Sequence, residues 1–176
     1  MNKKLKTAGR QLTYMLRHNP SPLTTNTFGY VLVIDICKTL NITIDELTEI
    51  VMSDGKQRFS FLENKKLIRA SQGHSFDVDL GLPPITPPIT LYHGTVKDSI
   101  ALILNSGIKK MKRHAVHLSS DLKTATQVAS RHKSETVILT INTKQMFEDG
   151  YIFNQSENGV WLTDFVPSEY IQPPKP

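Results

Sequence analysis

The stretch LGLPPITPPIT, residues 80–90, decides how the chain is read. Prolines at 83, 84, 87 and 88 remove backbone donors and the conformational range a helix needs, so the segment must run extended. It divides the chain into a lobe of residues 1–82, a connector of 83–90 and a lobe of 91–176. Each lobe is long enough for a small core of its own.

Before the prolines, Leu5, Ala8, Leu12, Met15 and Leu16 form the apolar stripe of a helix that must stop before Pro20. LRHNP (16–20) is its last turn. A second helix is predicted over Val31 to Leu40. A third begins at Thr43, where Thr43 and Glu46 have capping-box spacing and Ile44, Leu47, Ile50 and Val51 make the buried side. RFSFLENKKLIRAS (58–71) then gives two short alternating runs around a polar ENKK tip, the pattern of a hairpin. Helices followed by a hairpin resemble a winged helix.

After the prolines, ITLYHGT (89–95), RHAVHLS (113–119), VILTINT (137–143) and GVWLT (159–163) have strand composition. Helices are predicted over 97–105, ended by Gly107, and over 121–131 behind an SSD cap. Strands and helices alternate without a strict βαβ rhythm. The expected class is α+β.

Lys and Arg exceed Asp and Glu, giving a net charge of +5 over 176 residues. A pI near 9.3 favours a polyanionic partner such as nucleic acid or a phosphorylated ligand. Cys37 is the only cysteine, which excludes a disulfide framework and a thiolate metal cluster. It reads as a buried structural thiol in a reducing compartment. No stretch has signal-peptide or bilayer-spanning character, and the expected location is cytoplasmic.

Four cationic or titratable residues stand out because small polar or conformationally special residues accompany them: Arg17 with His18 at the end of the first helix, Arg69 on the hairpin, and Arg113 at the start of a strand. Singly, each is a surface charge or, for His18, a partner of a helix C-terminus. If RHAVHLS is extended, Arg113, Ala115, His117 and Ser119 share a face. The same parity puts Arg69, Ser71, Gly73 and Ser75 on one side of IRASQGHS (68–75). His114 and His117 are three apart, which points them oppositely on a strand and argues against a metal pair. In LYHGT (91–95), Gly94 lets backbone approach a ligand. There is no P-loop, dinucleotide fingerprint, nucleophilic serine elbow or evident acid pair.

LRHNP, RASQGHS, LYHGT, RHAVHLSSD and NGVWLT, in this order from about Leu12 to Tyr170, resemble the RNA 2′-phosphotransferase family, the NAD-dependent enzymes that remove an internal 2′-phosphate from RNA. The resemblance implies an N-terminal winged-helix lobe that binds RNA, a C-terminal ADP-ribosyltransferase-like lobe and an active site in the cleft between them. It also implies a catalytic tetrad at Arg17, His18, Arg69 and Arg113. NAD, consumed as a co-substrate without a metal, is expected at His93, Gly94, Thr95 and His117, with Ser71, Gly73, His74 and Ser75 contributing from the hairpin side.

The implied reaction has the RNA 2′-phosphate attack the nicotinamide-bearing ribose of NAD, giving an ADP-ribosylated RNA. The neighbouring ribose hydroxyl then attacks phosphorus, releasing 2′-OH RNA and ADP-ribose 1″,2″-cyclic phosphate. An anionic nucleophile needs positioning more than deprotonation, and arginine forks suit that task. It also makes unnecessary the catalytic glutamate of many ADP-ribosyltransferases, near whose place stands Val160; Glu157 reads as a structural acid. Where the family has an acidic residue and then Gly-Trp, this chain has TTNTFGYV (24–31), and Tyr30 reads as a core variant.

The expected partner is RNA with an internal 2′-phosphate, as at a tRNA-like splice junction, acted on by a monomer. The alternative is an ADP-ribosyltransferase acting on terminal phosphates of RNA or DNA. A third reading is a binding module without turnover.

Overall fold

Residues 3–131 and 134–173 are described in a computed structural model. Contacts divide the chain into two units. One runs to Gly81 and takes in Lys112–His114; the other holds Leu82–Met111 and the chain from Ala115 onward.

The first unit opens with α1 (Lys3–Arg17), which buries Leu5, Ala8, Leu12 and Leu16 along one stripe. Met15, predicted on that stripe, is only partly buried. β1 (Val31–Leu32) leads directly into α2 (Val33–Leu40), so the helix predicted from Val31 starts two residues late. Val31 and Leu32 are instead held by antiparallel pairing with Ile68 and Leu67.

α3 (Ile44–Met52) begins at the predicted capping box. Glu46 N donates to Thr43 Oγ1 at 3.1 Å and Thr43 N donates to Glu46 Oε2 at 2.9 Å. Such a cap stabilises a helix by about 1 kcal/mol. Leu47 and Ile50 are buried, whereas Ile44 is half exposed.

β2 (Phe59–Leu62) and β3 (Leu67–Ala70) form an antiparallel hairpin, and the sheet order is β1-β3-β2. Leu12, Leu16, Ile36, Leu47 and Ile68 make the centre of the core. Cys37 is half-buried at its edge rather than fully buried.

The second unit starts with the prolines, and they are tied down. Asn154 Nδ2 donates to Leu82 O at 2.8 Å, Ile85 N to Phe153 O at 2.8 Å, Thr143 Oγ1 to Pro88 O at 2.6 Å and Lys144 N to Ile89 O at 3.1 Å. Then come β4 (Thr90–Val96), a 3₁₀ turn (Lys97–Ser99), α4 (Ile100–Ser106), β5 (Ile108–Lys109) and β6 (Val116–Leu118). α5 (Leu122–Ala129) is capped by Asp121, whose side chain accepts from Thr124 N at 2.8 Å.

β7 (Thr136–Asn142), α6 (Thr143–Glu148), β8 (Asn154–Gln155), β9 (Trp161–Thr163), β10 (Phe165–Val166) and β11 (Ile171–Gln172) complete it. The sheets are antiparallel with orders β11-β7-β4, β6-β9-β8 and β10-β5. A bridge between Tyr92 and Ser119 links β4 to the end of β6. Leu91, Leu139, Ile141, Met146 and Phe153 fill the core.

Six helices and small antiparallel sheets among the described residues make the fold mixed α+β. No helix among them is long and apolar enough to cross a membrane.

Two predicted alternations are not met. β6 covers only 116–118, so Arg113 and His117 do not share a strand face. Arg113 belongs to the first unit and His117 to the second. β3 ends at Ala70, and Ser71, Gly73 and Ser75 follow in an irregular loop in which Gly73 has φ 90°.

Candidate active site

The C-terminus of α1 and the loop after β3 hold one another. Ser75 N donates to Arg17 O at 2.8 Å, satisfying a carbonyl that the helix end leaves without an intrahelical partner. A Cβ on Gly73 would sit 3.4 Å from Arg17 Cζ and Nε, so the arginine side chain lies against the glycine backbone. A left-handed φ and a neighbour this close both favour glycine there.

His18 Nδ1 lies 3.1 Å from Ser75 Oγ, and Ser75 Oγ lies 3.4 Å from Arg17 O. When the hydroxyl donates to Arg17 O it accepts from the imidazole, and Nε2 is then the acceptor of neutral His18. Partial burial, and then the charges of Arg17 and Arg113, hold the His18 pKa below the ordinary 6.5.

Arg69 is buried. Its Nη1 donates to Leu80 O at 3.0 Å and Phe28 O at 3.3 Å, and its Cζ stands 4.6 Å from the centroid of the Tyr30 ring. These three partners are neutral, so none of them cancels the charge.

His74 has no exposed surface, and both ring nitrogens lack a hydrogen-bond partner among the described residues. Its ring meets Phe76 and His114 edge to face, with centroids 5.3 and 5.6 Å apart. Burial, and then the charges of His114, Arg17, Arg69 and His18, push its pKa down to about 3. It is a neutral ring among cations. The segment carrying Arg113 is fixed beside it, because His114 N donates to His74 O at 3.1 Å.

Arg17, His18, Arg69, Gly73, His74, Ser75 and Arg113 are thus brought together in the first unit. Ser71 belongs to the same loop, but its N donates to Arg58 O at 2.8 Å and its hydroxyl to Gln57 O at 2.9 Å. A turn closed by the Asp54–Arg58 ion pair therefore occupies it.

His93, Gly94, Thr95 and His117 lie in the second unit. His93 Nδ1 is 3.1 Å from His117 O. A carbonyl only accepts, so Nδ1 again holds the proton and Nε2 is the acceptor nitrogen. Thr95 pairs with Val137 across β7.

Gly94 also has a packing use. A Cβ there would meet Ala125 O at 2.7 Å and Ala129 Cβ at 2.8 Å, so its bareness admits α5 against the sheet. Among the described residues no group of three or more His, Cys, Asp or Glu side chains could hold a metal ion.

Residues 3–165 match the model of the family described as RNA 2′-phosphotransferase, Tpt1 / KptA family. The chain belongs to the RNA 2′-phosphotransferase family.

Relatives carry the name "Probable RNA 2′-phosphotransferase" and are aligned nearly end to end. That of Rhizobium leguminosarum bv. trifolii is 44% identical, covering 93% of this chain and 91% of its own. That of Nostoc punctiforme is 45% identical over 93% of each. That of Fusobacterium nucleatum is 43% identical, covering 93% and 96%. The family's activity is that of an enzyme transferring a phosphate from RNA, and the cluster of cations in the first unit suits such a group.

Asn26 and Phe28, in the turn beside Arg69, are not singled out from the sequence, and Tyr30 reads there only as a core variant. Asn26 Oδ1 accepts from Phe28 N at 3.0 Å and Tyr30 N at 2.9 Å, shaping a turn that presents the Phe28 carbonyl and the Tyr30 ring to Arg69. The signal was present as Asn-x-x-Gly-aromatic in 26–30, a side-chain-braced turn followed by a ring.

Proposed function

We propose that this chain is an NAD-dependent RNA 2′-phosphotransferase, in which a winged-helix first lobe holds the RNA and an ADP-ribosyltransferase-like second lobe holds NAD. The observation that carries this reading is the convergence of Arg17, His18, Arg69 and Arg113, drawn from positions 17 to 113, in one electrostatic cluster. Family membership supports the phosphate and RNA parts of it.

NAD supplies the ribose carbon that accepts the phosphate as nicotinamide leaves, and the adjacent hydroxyl that closes the ring of ADP-ribose 1″,2″-cyclic phosphate. Arg17, Arg69 and Arg113 hold the 2′-phosphate of an RNA, such as a tRNA-like splice junction, and stabilise the charge that builds on its oxygens during transfer. His18 Nε2, the nitrogen left to accept once Nδ1 donates to Ser75, takes the proton of the attacking ribose hydroxyl and returns it to the departing RNA 2′-oxygen. Its depressed pKa keeps it unprotonated and ready at neutral pH.

His93, its acceptor nitrogen set by the His117 carbonyl, binds a hydroxyl of the ADP-ribose. Thr95 and His117 join it. Gly73 and Ser75 act through Arg17 and His18. His74, fully enclosed, shapes the cluster from within.

The test is to incubate the protein with a short RNA bearing one internal 2′-phosphate, with and without NAD, and to weigh the products. NAD-dependent loss of phosphate with cyclic ADP-ribose phosphate is expected. Arrest at ADP-ribosylated RNA would favour transfer to nucleic-acid phosphates without the second step, and unchanged RNA would overturn the reading.

A further inference from the structure

We propose that Tyr30 is a positioning residue of the phosphotransfer reaction, acting through Arg69 by fixing the plane of its guanidinium. The inference rests on the function proposed above and deepens it.

Arg69 lies at the inner end of a long side chain that has lost nearly all contact with solvent. A buried guanidinium must recover its lost hydration from fixed dipoles. Two of these are the Leu80 and Phe28 carbonyls, which both receive Nη1, at 3.0 and 3.3 Å. Two acceptors on one nitrogen anchor that corner of the fork. Arg69 Cζ stands over the Tyr30 ring, 4.6 Å from its centroid, and a ring packed there limits how the guanidinium can turn about that corner. A phosphate-binding fork needs this restraint, because bidentate contact depends on the orientation of the plane.

Tyr30 is itself held. It is buried, and its N–H donates to Asn26 Oδ1 at 2.9 Å while its carbonyl accepts from Asn26 N at 3.0 Å. Gly29, with φ 77°, makes the tight turn that carries Phe28 and Tyr30 to the same guanidinium; its Cβ would strike Val78 Cγ2 at 2.9 Å. Asp79 N, donating to Thr27 O at 3.0 Å, ties this turn to the strand of chain that supplies Leu80. The Phe28 and Leu80 carbonyls and the Tyr30 ring thus reach Arg69 from one braced stretch of backbone.

What Tyr30 contributes is its π face. Phenylalanine keeps that face and tryptophan enlarges it, whereas leucine fills much of the space without it. The experiment measures single-turnover transfer, KM for NAD and thermal melting for wild type, Tyr30→Phe, Tyr30→Trp and Tyr30→Leu, together with Arg69→Lys and the Tyr30→Leu/Arg69→Lys double variant.

Tyr30→Phe is expected within about twofold of wild type and Tyr30→Trp should retain transfer, while Tyr30→Leu slows it by about 10- to 30-fold with KM for NAD unchanged. In the double variant the losses should be less than multiplicative, since lysine has no plane to align. Equal rates for Tyr30→Leu and Tyr30→Phe would overturn the inference, as would fully multiplicative losses. A loss in Tyr30→Leu that merely follows a lowered melting temperature, and disappears when the assay is cooled, would overturn it too. Failure of wild type to act on the 2′-phosphorylated RNA would instead defeat the underlying function, and is read from the same assay before any variant.

Discussion

His18 Nδ1 lies 3.1 Å from Ser75 Oγ, while the same serine's backbone N–H reaches Arg17 O at 2.8 Å. One residue of the loop after β3 therefore holds both the end of α1 and the ring of the histidine that follows it. Removing the hydroxyl leaves the backbone bond in place and frees only the ring. Ser75→Ala is expected to slow transfer by about 5- to 10-fold, the worth of one hydrogen bond of roughly 1 kcal/mol. Ser75→Thr should preserve the rate. Single-turnover assays of both variants against His18→Ala check this, and a Ser75→Ala rate equal to wild type would remove the serine from the mechanism.

Protonation of His18 should be harder than for a free histidine. Burial is the largest cause and the Arg17 and Arg113 charges follow. Titration of the imidazole by NMR in the free protein should give a value below 6.5. Arg113→Gln removes one of the opposing charges, so the titration should move upward, though only part of the way because burial remains. An unchanged midpoint in that variant would place the Arg113 charge too far away to serve the same phosphate.

His74 ties stability to pH. Its folded pKa, about 3, lies below the unfolded 6.5, so between these values the unfolded chain binds more protons. Stability from this group is complete above about 6.5 and is lost progressively as pH falls toward 3. His74→Phe keeps a ring and cannot charge. Its melting temperature should fall less steeply than that of wild type between pH 6.5 and 4, a difference that parallel thermal melts will reveal.

Gly94→Ala separates packing from binding. The added methyl meets Ala125 O at 2.7 Å and Ala129 Cβ at 2.8 Å, so α5 must shift. Overpacking of this kind costs roughly 1–3 kcal/mol, which denaturant titration will show as a lowered midpoint at unchanged slope. If Gly94 served mainly to admit NAD, the midpoint would hold and KM for NAD would rise alone.

The local part of this architecture was legible. Leu5, Ala8, Leu12 and Leu16 marked α1, Thr43 and Glu46 marked the start of α3, and the ENKK tip marked the hairpin, since each signal lies within one turn or one strand pair. Val31 and Leu32 were misassigned because their partners, Ile68 and Leu67, lie more than thirty residues away. Thr143 was read as the end of a strand and is the first residue of α6, with Asn142 accepting from Gln145 N in front of it.

At the candidate site, the cations could be picked out by type and motif. Their supports could not. The parity expected of Arg113 and His117 assumed a strand that continues back to 113, whereas 112–114 takes its bonds from the first unit. Nothing in the local pattern of RHAVHLS reveals a backbone bond to His74, and nothing in TFGYV reveals a guanidinium against its ring.

The return of Lys112–His114 to the first unit limits how the chain can be dissected. A fragment ending at Gly81 would contain three of the four cationic-site residues but lack Arg113 and the His114 N–H that meets His74. During synthesis the same holds in time: the first unit emerges from the ribosome early, yet its set of cations stays incomplete until some thirty further residues have been made. The two units are distinguishable as bodies of contacts but not as separable genetic cassettes, and exchanging one between homologues would mean cutting the chain at three places rather than one.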